Sequence, residues 1–156
     1  MIRDIRRNGA QPKDTMHKAG ANMKTGMGVV IKDTTTVVLP SNETTTNIYF
    51  VTKERIPTGV NAARTNMSDY DDDFVNVVKD EFVGLERYTD GEKFATDQFK
   101  AEDFNNELKG KPVAVGVDGK LIKATKASKY VFEDFFMDNG HKLVLIRVES
   151  DAVEVA

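Results

Sequence analysis

The chain has 156 residues, a length that suits one domain or one compact domain with an appendage. It carries 22 Lys+Arg against 25 Asp+Glu, a net charge of −3 with a pI near 5.5, whereas a general nucleic-acid-binding domain usually has a pI above about 9. Cysteine is absent, which excludes disulfides, cysteine-ligated metals and a thiol nucleophile; no apolar run approaches the roughly 18–20 residues of a membrane span, and no apolar stretch succeeds the charged start as a secretory signal would require.

Residues 1–26 differ in composition from the rest of the chain. Arg3, Arg6, Arg7, Lys13, Lys18 and Lys24 stand against only Asp4 and Asp14, and Gly9, Pro12, Gly20 and Gly26 interrupt any long period. With so little apolar surface to offset ordering entropy, the segment is expected to be an extended basic arm. It would dock on another surface, preferably a partner subunit, and add little to the isolated fold.

From residue 27 to 156 the signals are those of one β-rich domain. Gly28–Lys32, Thr34–Leu39 and Thr44–Thr52 are apolar or β-branched runs separated by turn residues, and in the last of them Ile48 and Phe50 share one face. Residues 53–73 have no periodicity and form a long loop ending in Asp69, Tyr70, Asp71, Asp72 and Asp73. Strands are expected again at Phe74–Val78 and Phe82–Tyr88. A helical patch is expected at Ala101–Leu108, where Phe104 and Leu108 lie four apart and Gly110 supplies a stop. Two hairpins close the chain, one turning at Asp118-Gly119 and one at Asn139-Gly140. Their alternation places Val115, Leu121, Phe132, Leu145 and Ile146 in the core. The whole is an all-β fold, a small antiparallel barrel or sandwich with one short helix.

Little in the sequence suggests catalysis. His17 and His141 lie far from any second ligand and are expected to be solvated, no serine sits in Gly-x-Ser-x-Gly, and Lys109-Gly110-Lys111-Pro112 fails as a phosphate loop. Asp69, Asp71 and Asp73 alternate like the start of a Ca²⁺ loop, but Phe74 stands where glycine is needed and Asp80 where a bidentate glutamate belongs. No metal, cofactor or enzymatic activity is expected. The aromatics Phe132, Phe135 and Phe136 are interleaved with Glu133 and Asp134, not with basic residues, so a base-stacking platform is not expected either. The charged groups point instead to partner binding. Arg3, Arg6, Arg7, Lys13 and Lys18 form a basic set, and Asp69, Asp71, Asp72 and Asp73 an acidic one. Opposite patches of this kind suit lattice contacts or docking of the arm on its own domain.

Taken along its length, the chain has a basic glycine-punctuated arm, Thr/Val-rich strands, a long acidic loop, and the closing pattern Tyr88-Thr89-Asp90-Gly91-Glu92, then Gly110-Lys111-Pro112-Val113-Ala114-Val115, then Asp118-Gly119-Lys120-Leu121. In this layout it resembles the auxiliary capsid proteins of tailed bacteriophages, the decoration or cement proteins. The resemblance implies a non-enzymatic virion protein, assembled in the host cytoplasm, that binds the major capsid protein lattice, with or without self-association into an oligomer, and stabilises the shell. It implies no membrane and no specific nucleic-acid partner. Two alternatives stand beside it: another phage structural component, such as a head–tail joining or tail protein, and a cellular β module that binds a protein or glycan.

Overall fold

The computed structural model describes residues 1–9, 13–53 and 68–156. The fold is mostly β, as the sequence leads one to expect: thirteen strands, one single-turn α-helix and one 3-10 turn among the described residues. Most of the loop expected at 53–73 lies outside them.

Five strands make the first sheet: β2 (Lys18–Ala19), β4 (Gly28–Ile31), β5 (Thr36–Val38), β6 (Tyr49–Lys53) and β8 (Val83–Glu86), in the order β2-β5-β4-β6-β8. The β2–β5 pair is parallel and the others are antiparallel. The two edges then meet. Asp14 pairs with Leu85 and Lys18 with Phe82, and the Val83 N–H donates to the His17 carbonyl at 3.0 Å. The sheet is therefore a closed barrel without a free edge. Val29, Val37, Val51, Val83, Leu85 and Ala19 fill it, joined by Met23 and Val77 from the short pair β3 (Met23–Lys24) and β7 (Asn76–Val77).

The second layer contains β1 (Ile2–Arg6), β9 (Lys93–Thr96), β12 (Ser128–Asp138) and β13 (His141–Val153) in the order β1-β9-β13-β12. The hairpin of β10 (Val113–Val115) and β11 (Leu121–Lys123) bridges from β12, through Pro112–Val131, back to the end of β9, through Phe99–Leu121. Its core is larger and more aromatic. Phe94 and Phe132 are wholly buried, and Phe104 meets Phe132 edge-on at 5.0 Å. Strand β6 belongs to both cores. Period-two alternation sends Phe50 into the aromatic core and Val51 into the barrel.

Both expected hairpins form. Asn139 and Gly140 adopt φ of +48° and +81°, the backbone that a tight two-residue hairpin loop demands. Val115, Leu121, Phe132 and Ile146 are buried at 1% exposure or less. Leu145 is a correction: it is only half-buried, because it points to the face of β13 opposite Val144, Ile146 and Val148. A bulge between Phe132 and Asp134 shifts the register of β12, so Phe132 and Phe135, three apart, meet edge-on at 5.1 Å.

Other expectations shift. The helix expected at 101–108 is only a 3-10 turn at Asn106–Leu108, capped by the Asn105 side chain, which accepts from the N–H groups of Glu107 and Leu108. Phe104 and Leu108 are four apart because both anchor the aromatic core from turns. The strand expected at 74–78 begins as a helix, α1 (Asp72–Val75), whose first turn carries Asp72 and Asp73 at the favourable end of the dipole. The strand expected from Thr44 starts at Tyr49, after a turn in which Asn47 has φ +52°.

The largest revision concerns residues 1–26. The described part, 1–9 and 13–26, is largely extended, but it does not stand apart from the fold. Met1 is 8% exposed; its amine donates to the Thr25 carbonyl at 2.7 Å and to Asp97 Oδ1 at 2.5 Å. Ile2, Arg3 and Asp4 pair with Thr96, Ala95 and Phe94. Gly26, at φ +90°, lets the chain pass so near Met1 that a Cβ there would sit 2.6 Å from its carbonyl oxygen. Residues 14–19 close the barrel. The expectation that this segment adds little to the isolated fold is overturned, because two of its stretches supply strand edges that no other described segment fills.

Candidate interaction surface

The segment Ser68–Val75 brings the acidic residues up to the N-terminal strand. Arg3 reaches both Asp69 and Asp138, each at 2.7 Å, and Tyr70 donates its hydroxyl to the same Asp138 oxygen at 2.8 Å. The Arg3 and then the Tyr70 hydrogen bonds hold Asp138 below its ordinary value. The first basic residue and the first acidic residue of the two expected sets thus neutralise each other within one molecule.

Arg7 also turns inward. Its guanidinium lies 4.4 Å from the centroid of the Tyr88 ring, and its Nε is 3.7 Å from Glu92, a carboxylate with no exposure at all. Glu92 accepts from the N–H groups of Asn8 at 3.0 Å and Thr89 at 2.8 Å, the donors a buried carboxylate requires. Nearby, the Tyr88 hydroxyl contacts Asp4 at 2.5 Å and Glu86 at 3.0 Å, and Lys13 lies 3.7 Å from Glu86. Burial first, and then the Asp4 carboxylate, push Glu86 up. Arg3, Arg7 and Lys13 are therefore cross-links of the fold itself.

Arg6, Lys18, Asp71, Asp72 and Asp73 remain on the outside. Asp71 accepts from the Ser68 N–H at 3.0 Å and so shapes its own turn. Asp69, Asp71 and Asp73 do not converge, and among the described residues no three carboxylate or imidazole side chains are placed to hold a metal ion.

Lys18 marks the clearest outward-facing patch. On the closing seam of the barrel, period two turns His17 and Ala19 inward and Met16 and Lys18 outward, and along residues 82–85 it turns Val83 and Leu85 inward and Phe82 outward. Met16 is 76% exposed, Phe82 52%, and Val78, in the adjoining turn, 62%. The Lys18 ammonium sits 4.9 Å from the Phe82 centroid. With Met16 two residues along the same outward face and Val78 in the turn before Phe82, these exposed apolar side chains gather along one seam, which is informative as scattered single residues are not. Sequence reasoning named Lys18 and missed its apolar neighbours, although the Phe82-Val83-Gly84-Leu85-Glu86 alternation held the signal. His17, expected to be solvated, is 7% exposed and pairs with Asp14 at 3.1 Å. Asp14 lies below its ordinary value, chiefly through the Met16 N–H and then through His17.

The chain matches no protein-family model, no curated protein and no solved structure. Among the described residues no helix is long and apolar enough to cross a membrane.

Proposed function

We propose that this chain is a non-enzymatic structural protein of a virion, one that binds the outer surface of an assembled capsid lattice and reinforces it. The observation that carries the reading is the Met16–Lys18–Phe82 seam with Val78 beside it. It is a set of exposed apolar side chains with a cation over one of them, on a closed barrel. A closed barrel offers no strand edge for pairing, so a partner would be gripped by side chains. Asp71, Asp72 and Asp73, exposed just before β7, would add a second, acidic contact that can fix register. The layout of the sequence, with its similarity to phage decoration proteins, supports the same reading.

The test is decoration of purified, preassembled shells of the cognate major capsid protein, seen by electron microscopy and by co-sedimentation. The native chain should add ordered density to shells without changing their size. A Met16→Asp, Phe82→Asp double variant should keep its circular dichroism spectrum, because both side chains are exposed, and should fail to co-sediment. Undiminished binding by that variant would remove the seam from the proposal, and self-assembly of the native chain into tubes or rings would favour a tail component.

A further inference from the structure

A different face holds a built cavity that the capsid reading does not use. A cleft of about 630 Å³ opens where the turn before β6, the segment after β8 and the open end of the β12–β13 hairpin meet. Its size lies inside the roughly 300–1,000 Å³ of small-ligand sites. Arg87 stands on its wall, exposed, and makes no ion pair or hydrogen bond with any described residue; its Cζ lies 5.9 Å from the centroid of the Tyr49 ring. Lys129, the other cation of the cleft, is already paired with Asp90 at 3.2 Å.

The floor supplies the second observation. Tyr130 is only 6% exposed, and its ring is fixed edge-on against Phe50 at 6.0 Å and Phe94 at 6.4 Å. Its hydroxyl bonds to no described residue, and unlike the ring it is not sealed from solvent, which leaves it free to meet a ligand in the cleft. Burial pushes the Tyr130 phenol up to about 12 despite the nearby charge of Arg87, and like any tyrosine it keeps its proton at neutral pH and can donate it to an acceptor. The side chains of Thr45, Thr46 and Asn47 line the adjoining wall, and they too make no hydrogen bonds among the described residues.

We propose that this cleft binds an acidic saccharide, with the sugar carboxylate held by Arg87 and the Tyr130 hydroxyl and the ring hydroxyls met by Thr45, Thr46 and Asn47. The guanidinium fork matches a carboxylate in two parallel hydrogen bonds. A neutral sugar would leave the cation unused. An acidic peptide would use the cation but not the row of hydroxyl and amide groups, which suits a ligand that is itself densely hydroxylated. The proposal does not rest on the capsid reading, since none of these residues lies on the Met16–Phe82 seam.

The experiment titrates the full chain with trigalacturonate, with the neutral galactose trimer and with a glutamate-containing tripeptide, read by calorimetry and by amide shifts. Trigalacturonate should bind at least about tenfold more tightly than either control, with shifts centred on residues 45–47, 87 and 130. Arg87→Ala should weaken it by about ten- to a hundredfold, the loss of a charge-assisted bond. Tyr130→Phe keeps the ring packing and should weaken binding severalfold with an unchanged melting curve. Equal binding of the neutral trimer, tighter binding of the peptide, no binding of trigalacturonate, or an Arg87→Ala variant that binds as the native chain does would each overturn the proposal. Shell decoration should be unaffected by Arg87→Ala, which keeps the two readings separable.

Discussion

The ring of Tyr70 lies flat on the imidazole of His141, with centroids 3.8 Å apart and planes inclined by 9°. This stack and the Tyr70–Asp138 hydrogen bond pin the acidic segment to the turn of the second hairpin. Alanine at position 70 removes both contacts, while phenylalanine removes only the hydrogen bond. With each contact worth about 0.5–1.5 kcal/mol, Tyr70→Ala should cost roughly 1–3 kcal/mol in urea denaturation and Tyr70→Phe about half as much. Equal losses would mean that the stack contributes nothing.

Asp138 sets a pH dependence on the same cluster. Arg3 and then Tyr70 hold its carboxyl below the ordinary 3.8. A carboxylate depressed in the folded state contributes stability that is complete above its unfolded value and is lost as pH falls through the folded one. Stability should therefore decline as pH drops below about 3.8, and Asp138→Asn should flatten that limb. Urea midpoints measured from about pH 5 down to about pH 2 make the comparison.

Glu86 behaves in the opposite sense. Burial and the neighbouring Asp4 raise it above the ordinary 4.5. A carboxyl raised in the folded state stabilises below its unfolded value, and that contribution disappears as pH rises through the folded value. Glu86→Gln should accordingly raise the melting temperature at pH 7. The gain should vanish below pH 4.5, where the native glutamic acid is already neutral. A variant less stable than the native chain at pH 7 but equal to it below pH 4.5 would show that the Lys13 contact outweighs burial.

The core expectations differ for two neighbours on β13. Ile146 is wholly buried, and its truncation to alanine should cost about 2–5 kcal/mol. Leu145→Ala should cost clearly less, because that side chain is only half-buried. Chemical denaturation of the pair reads the strand's facing directly.

Removing residues 1–19 should abolish cooperative unfolding, since it strips β1 from β9 and opens the seam of the barrel at Leu85 and Phe82. A shorter deletion of residues 1–7 leaves the barrel closed and should lower the melting temperature while keeping a single transition. A fully stable 1–19 deletion would restore the view of this segment as a detachable arm.

The parts of the fold visible in the sequence are those written in local chemistry. Asp118-Gly119 and Asn139-Gly140 specify their turns on their own, and the alternation of Val144, Ile146 and Val148 specifies an inward face. The closure of the barrel was not visible, because Asp14 and Lys18 meet residues 71 and 64 positions later through backbone groups that any sequence carries. The spacing of Phe104 and Leu108 misled for a related reason: two turns can deliver side chains to one core at a helical interval. For the candidate surface, the charged residue types were visible but their partners were not. Arg3 and Asp69 look like two halves of an external contact until folding places them 2.7 Å apart. Tyr130 and Arg87 carried no sequence signal at all, since an unsatisfied hydroxyl is a property of three-dimensional surroundings.

The amine of Met1 binds Asp97, 96 positions further on, and this has a consequence for how the chain is made. At about 5–20 residues per second, the ribosome needs roughly 5–20 s to deliver the partner of Met1. Throughout that interval the β1 segment lacks its mate, while the stretch at 14–19 waits only for Phe82 and Leu85. The barrel core can close once β8 has been made, but the aromatic core cannot be completed before the translation of β9 and the closing hairpin. The nascent chain must stay soluble on its own charge until then, a task for which the clustered arginines and lysines of its opening segment are well placed.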